Sequence, residues 1–172
     1  LLNGLLLYSG NDNAVAIADH IAGSTEKFAE MMNAEAKKLM ATNSHFVNPS
    51  GLHDDNHYTT AYDLYLIFNE CIKHDDFVKI INSSSYTAHI TGADGTKRDV
   101  EWEPTNYYAK GEATPPDNVT IIGGKTGTTK GAGNCLILLT KDSSGNPYIS
   151  IIMGAGSKPL LYQDMTSMLS KI

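Results

Sequence analysis

The chain predicts an α/β fold in which helices come first, an antiparallel meander follows and one helix closes. Three observations carry this expectation. Apolar residues recur at helical spacing through residues 1–80. Short β-rich runs replace them from Ser85 onward. The last two runs are joined by Asp142, Ser143, Ser144, Gly145 and Asn146, a hairpin connection. No internal repeat or low-complexity tract breaks the order, so residues 1–172 are expected to form one unit. Within it, 1–80 make a helical lobe and 81–172 a sheet region with the closing helix.

The opening Leu1, Leu2, Asn3, Gly4, Leu5, Leu6, Leu7 has no initiator Met, basic leader or small-residue cleavage site, and it reads as a cut through a helix. A polar break follows at Ser9, Gly10 and Asn11. From Asp12 to Ala22, Val15, Ala18 and Ala22 fall at helical spacing, and Gly23 stops the helix. Ser24 or Thr25 caps the next one, whose Phe28, Met31, Met32, Ala36, Leu39 and Met40 form a stripe suited to a core. Thr42 to Thr59, rich in Asn, His, Asp, Pro and Gly, is expected to be an irregular loop, and a further helix runs from Thr60 to Lys73. Strands are expected at Ser85–Ile90, Val119–Ile122, Cys135–Thr140 and Tyr148–Met153. Gly92 to Pro116 reads as surface loop with one strand near Val100. The closing helix follows Pro159.

Composition removes several classes of function. A net charge of -6 in 172 residues offers no basic stripe to neutralise phosphates, so nucleic acid is not an expected partner. The apolar runs break after a few residues, whereas a membrane-spanning helix needs about 20. Cys71 and Cys135 lack metal-ligand spacing and are read as free thiols, with one disulfide as the alternative.

The segment Ile121, Ile122, Gly123, Gly124, Lys125, Thr126, Gly127, Thr128, Thr129 is the most informative, because a β-run delivers a lysine and a hydroxyl onto a glycine-flanked strand edge. A phosphate-binding loop would need glycine where Val119 stands and a helix afterwards, but Gly131 and Gly133 follow instead. The other reading is the Lys-Thr-Gly strand of serine acyltransferases, which accompanies a Ser-x-Asn and an earlier Ser-x-x-Lys. Ser9, Gly10 and Asn11 supply the Ser-x-Asn, in the right order, in a loop between helices.

Ser9, Gly10, Asn11 and Asp12, then Ile21, Ala22, Gly23, Phe28, Met32, Asn33 and Ala36, resemble low-molecular-weight D-Ala-D-Ala carboxypeptidases of the penicillin-binding type. The likeness continues through Phe46, Asn48, Pro49, Ser50, Gly51 and Leu52, and through Thr60, Ala61, Asp63 and Leu64. It implies the serine β-lactamase and penicillin-binding transpeptidase-like fold: an antiparallel sheet flanked by helices with a mostly helical lobe, here without its N-terminal strands and nucleophile helix.

The resemblance also implies roles. Ser9 would pass a proton to the leaving amine, and Asn11 would hold a catalytic lysine and the substrate backbone. Lys125, Thr126 and Gly127 would grip the terminal carboxylate of the donor peptide, and Thr128 would offer its backbone N–H to the oxyanion. The expected partners are a peptidoglycan stem peptide ending in D-Ala-D-Ala and β-lactam antibiotics, in an extracytoplasmic setting, with no cofactor. No Ser-x-x-Lys precedes Ser9, so the chain by itself is expected to be inactive. Ser24 to Lys27 has the spelling, but it follows the Ser-x-Asn and suits a helix start.

Two rival readings use the same residues. In a β-lactamase the acyl-enzyme is hydrolysed fast, but class A enzymes place Asp where Gly10 stands. A non-catalytic peptidoglycan-binding module would not need Ser9, Asn11 and Lys125 together. The resemblance also implies that Tyr148 to Met153, which N-terminal strands cover in the family, is an uncovered sheet edge here, and such an edge invites an N-terminal partner fragment or a homodimer.

Weaker signals are read as structural. His53 and His57 stand at i, i+4 but in a loop with no third ligand, so no metal is expected. His20, His45, His74 and His89 read as surface or capping residues. Glu101, Trp102 and Glu103 read as a solvated face around an aromatic anchor, and Tyr107 and Tyr108 as core packing beside the Lys-Thr-Gly approach.

Overall fold

A computed structural model describes the whole chain, Leu1–Ile172. Helices α1 (Leu2–Leu6) and α2 (Asn11–Ala22) flank a tight turn, and α3 (Thr25–Lys38) packs beside α2. Helices α4 (Ala61–Cys71) and α5 (Asp75–Ile81) complete the helical part. Hydroxyl caps fix the starts: Ser24 Oγ accepts from Lys27 N–H, and Thr60 Oγ1 from Asp63 N–H. Gly23 ends α2 at φ 78°, a left-handed value that favours glycine.

Strands β1 (Tyr86–Thr91) and β2 (Lys97–Trp102) form a separate antiparallel ribbon, and the short α6 (Tyr107–Lys110) follows. Strands β3 (Thr120–Thr129), β4 (Gly133–Lys141) and β5 (Pro147–Ala155) make the main antiparallel sheet in the order β3-β4-β5, and α7 (Lys158–Leu169) closes the chain. The central strand alternates. Leu136 and Leu138 face α7 and join Leu161, Met165 and Leu169 in the larger core. Leu139 faces the other way, onto Phe68 of α4 and Ile81 of α5. The sheet thus lies between α7 and the helical part. Burying each such leucine contributes about 1.5–3 kcal/mol.

Three features depart from the sequence expectations. The reading places no element over 75–81, where α5 forms; seven residues are too few for a period to register, although Asp75 and Asp76 in the first turn and Lys79 in the last suit a helix dipole. The 92–116 stretch holds the strand expected near Val100, as β2, but also α6, where the sequence reads only as loop; Asn106 caps it through Oδ1 and Gly111 ends it at φ 72°. Strand β3 continues well past Ile122, through a register shift between Ile121 and Gly123, to Thr129. The outer edge of β5 is free, as the sequence suggests, with Tyr148 and Met153 exposed. Cys71 and Cys135 are free thiols. No helix is long and apolar enough to cross a membrane.

Candidate active site

Ser9 sits in the turn between α1 and α2 with φ 65°, a left-handed value that a β-carbon disfavours. The turn is held from inside. Gly10 N–H donates to the Gly4 carbonyl at 2.9 Å. The buried Asn13 side chain fills the notch between Gly4 and Gly10, where a β-carbon on either glycine would collide with it. Gly10 then serves as the residue before α2, so Asn11 opens that helix with its side chain exposed in the wall of a groove.

Strand β3 supplies the opposite wall. Its register pairs Lys125 with Ile137 and Thr126 with Leu136, so the two side chains leave the sheet on opposite faces. Lys125 reaches toward the helical part: its Nζ donates to Ser9 Oγ at 2.6 Å and to the Thr126 carbonyl at 2.8 Å. Thr126 faces the α7 side, where its Oγ1 lies 2.6 Å from Thr105 Oγ1. Gly127 and Thr128 continue along the exposed edge, and Thr128 Oγ1 donates weakly to Asn134 Oδ1 at 3.4 Å. The Ser-x-Asn and Lys-Thr-Gly segments, more than a hundred residues apart in sequence, therefore meet through one hydrogen bond.

The irregular segment between α3 and α4 roofs the groove. Two clasps hold it. Asn33 in mid-α3 donates from Nδ2 to the Phe46 carbonyl at 2.7 Å and accepts from Phe46 N–H at 2.8 Å. The fully buried Asp63 accepts through Oδ2 from Asn43 N–H and Ser44 Oγ, each at 2.7 Å. Asn48 Oδ1 accepts from Ser50 and Gly51 N–H, which closes the tip. Phe46, Leu52 and His53 line the cavity, whose volume is about 720 Å³.

Electrostatics set what the groove can hold. Burial pushes the Lys125 ammonium down to about 8. Both of its partners are neutral oxygens, so the charge has no carboxylate against it. A half-buried cation facing an open cavity favours an anionic ligand, and a serine hydroxyl in direct contact with that cation can pass a proton.

All six residues singled out by the sequence line this one groove. Sequence reasoning missed Thr105, which carries no motif and reaches Thr126 only through the tertiary fold. It named the roof residues as marks of the resemblance but gave them no role, although Asn33 inside an otherwise regular helix and Asp63 at a helix start are polar groups that signal a loop to be clasped.

The D-alanyl-D-alanine carboxypeptidase family matches residues 1–157. The chain is 31% identical over 169 residues to the D-alanyl-D-alanine carboxypeptidase DacF of Bacillus subtilis, covering 98% of this chain and 41% of that protein. It is 34% identical over 159 residues to DacD of Escherichia coli, covering 91% and 37%. The crystal structure of a Streptomyces DD-transpeptidase superposes with a TM-score of 0.87 at 30% identity, over 98% of this chain and 64% of that one. The chain thus spans about two-fifths of the length of these curated relatives.

Proposed function

The chain belongs to the D-alanyl-D-alanine carboxypeptidase family, and from that premise we propose that it supplies the carboxylate grip and proton relay of an enzyme that removes the terminal D-alanine from peptidoglycan stem peptides. The observation that carries the reading is the 2.6 Å hydrogen bond from Lys125 Nζ to Ser9 Oγ at the head of an anion-accepting groove. Residues 1–172 act as part of the catalytic domain, with 1–80 as its helical lobe and 81–172 as its sheet region.

In this reading Lys125, Thr126 and Gly127 hold the free carboxylate of the terminal D-alanine along the β3 edge. The longer protein supplies the acylated serine in a Ser-x-x-Lys ahead of Ser9. Its oxygen attacks the carbonyl carbon of the penultimate residue, and the Thr128 N–H steadies the oxyanion. The C–N bond then breaks, and the leaving amine takes its proton through Ser9, while Asn11 orients the peptide. Water hydrolyses the ester and regenerates the serine. β-Lactams, which also carry a carboxylate beside a strained amide, acylate the same serine. The substrate places the protein on the extracytoplasmic side of a bacterial cell envelope, and no step calls for a cofactor.

Intact mass after incubation with a fluorescent penicillin tests this, on the 172-residue chain and on a form extended upstream by about 80 residues. Only the longer form is expected to gain one penicillin. Acylation of the short chain would place the nucleophile elsewhere, and labelling of neither would remove the catalytic reading.

The free β5 edge supports a second proposal. An apolar strand with an unpaired backbone recruits another strand, so β5 pairs with an upstream segment of the same protein or with a second copy. Solution scattering on the 172-residue chain is expected to show dimers that dissociate when the upstream segment is added; a monodisperse monomer without it removes the proposal.

A further inference from the structure

We propose that Thr105 is a positioning residue that aims the hydroxyl proton of Thr126 into the groove and so sets the preference for a free terminal carboxylate; this rests on the reading of Lys125 and Thr126 as the carboxylate grip. Each hydroxyl has one proton and two lone pairs. The two oxygens lie 2.6 Å apart, so one of them donates to the other. If Thr126 donated to Thr105, it would turn lone pairs toward the groove and repel an anion. If Thr105 donates, the Thr126 proton is free for the ligand.

An anion in the groove selects the second arrangement. Neither hydroxyl has another hydrogen-bond partner, so the acceptor that a ligand brings to Thr126 decides which of the two donates to the other. With a carboxylate in the groove, the chain from Thr105 through Thr126 to the anion gives both protons an acceptor, and each bond polarises the next.

Thr105 is also held from outside the strand it serves. Pro104 and Asn106 on either side are buried, and Asn106 Oδ1 accepts from Tyr108 N–H at 3.1 Å. Tyr107 N–H donates to the Tyr162 hydroxyl of α7 at 2.9 Å, and the two rings stack with centroids 4.6 Å apart. The Tyr108 hydroxyl meets Thr166 Oγ1 at 2.7 Å. Upstream, Trp102 stacks on Tyr8, the neighbour of Ser9, at 6.1 Å. The segment from Trp102 to Tyr108 is thus a strap that touches both motif-bearing elements while anchored on α7. An orienting hydroxyl needs such a fixed base, because its value lies in direction.

The test compares the natural full-length protein with its Thr105→Val and Thr105→Ser variants on diacetyl-L-Lys-D-Ala-D-Ala and on the same peptide as its C-terminal carboxamide. Valine keeps the shape and removes the hydroxyl. The expected result is about a tenfold fall in kcat/KM for the acid, carried mainly by KM, with the carboxamide unchanged and serine restoring the acid. Should valine fail to fold, Thr105→Ala replaces it. An equal fall on both peptides reduces Thr105 to a structural role and overturns the proposal. A wild-type preference retained by Thr105→Val overturns it alone. A wild type indifferent to the carboxylate removes the grip reading along with it.

Discussion

Lys125→Met in the full-length protein is expected to lower kcat/KM for a D-Ala-D-Ala peptide by about a hundredfold, with a melting temperature at pH 7 no lower than that of the wild type. The size follows from what the ammonium contacts. Its hydrogen bond to Ser9 Oγ sits on the proposed proton route, and its charge is the only one facing the groove from β3. Charge-assisted hydrogen bonds contribute about 1.5–3 kcal/mol each, and about 1.4 kcal/mol is a factor of ten, so losing one to the substrate and one to Ser9 gives the expected fall at the lower end of that range. The pH dependence has a definite sign. Burial lowers the folded-state pKa to about 8 from an ordinary 10.5. The lysine is therefore cationic below pH 8 and loses its grip on a carboxylate as pH rises through that value, so KM climbs on the alkaline side. Between pH 8 and 10.5 the unfolded chain binds more protons than the folded one, so stability rises with pH there and the cost of the buried charge is present in full only below about 8. Methionine removes that cost and with it the alkaline climb in KM. Rate measurements from pH 6 to pH 10 on both proteins check the pair of effects. Equal activity, or an alkaline climb that survives in the variant, removes Lys125 from the carboxylate site.

How much of this was legible beforehand depends on whether the signal was local. The hydroxyl cap at Ser24, the stop at Gly23 and the hairpin around Gly145 are decided within a few residues, and the structure places elements accordingly. Lys125 and Ser9 were legible as a pair because family resemblance supplied their relation; no spacing rule connects positions so far apart. Thr105 was not legible, and the roof residues were legible only as marks of the resemblance, without a role. Thr105 follows a proline in a turn-rich stretch, and only the docking of Tyr107 and Tyr108 on α7 brings it under Thr126. The length of β3 was missed for a related reason. Its glycines lower strand propensity, and a local reading ends the strand at Ile122, while the real determinant is how closely other backbones approach.

That close approach makes the second large effect. Gly124→Ala is expected to cost at least about 3 kcal/mol of stability, because the new methyl would overlap the Ile137 carbonyl of the paired strand and come within 2.8 Å of Leu138 Cδ2. Neither can give way easily. The Ile137 carbonyl belongs to the central strand, and Leu138 is fully buried among the α7 residues. Gly123 is in the same position against the Ile81 carbonyl at the end of α5, so β3 is pressed between a strand and a helix terminus at two successive residues. This pressing positions the site. It holds β3 where Lys125, the next residue, reaches Ser9 across the groove. Gly127 provides the internal control, since a β-carbon there meets nothing within 4 Å. Gly127→Ala is expected to unfold within about 0.5 kcal/mol of the wild type, as surface substitutions do. Urea unfolding of the three proteins separates the outcomes. If the Gly124 and Gly127 variants lose stability equally, the loss reflects strand propensity, and the packing of β3 against Ile137 does not set the position of Lys125.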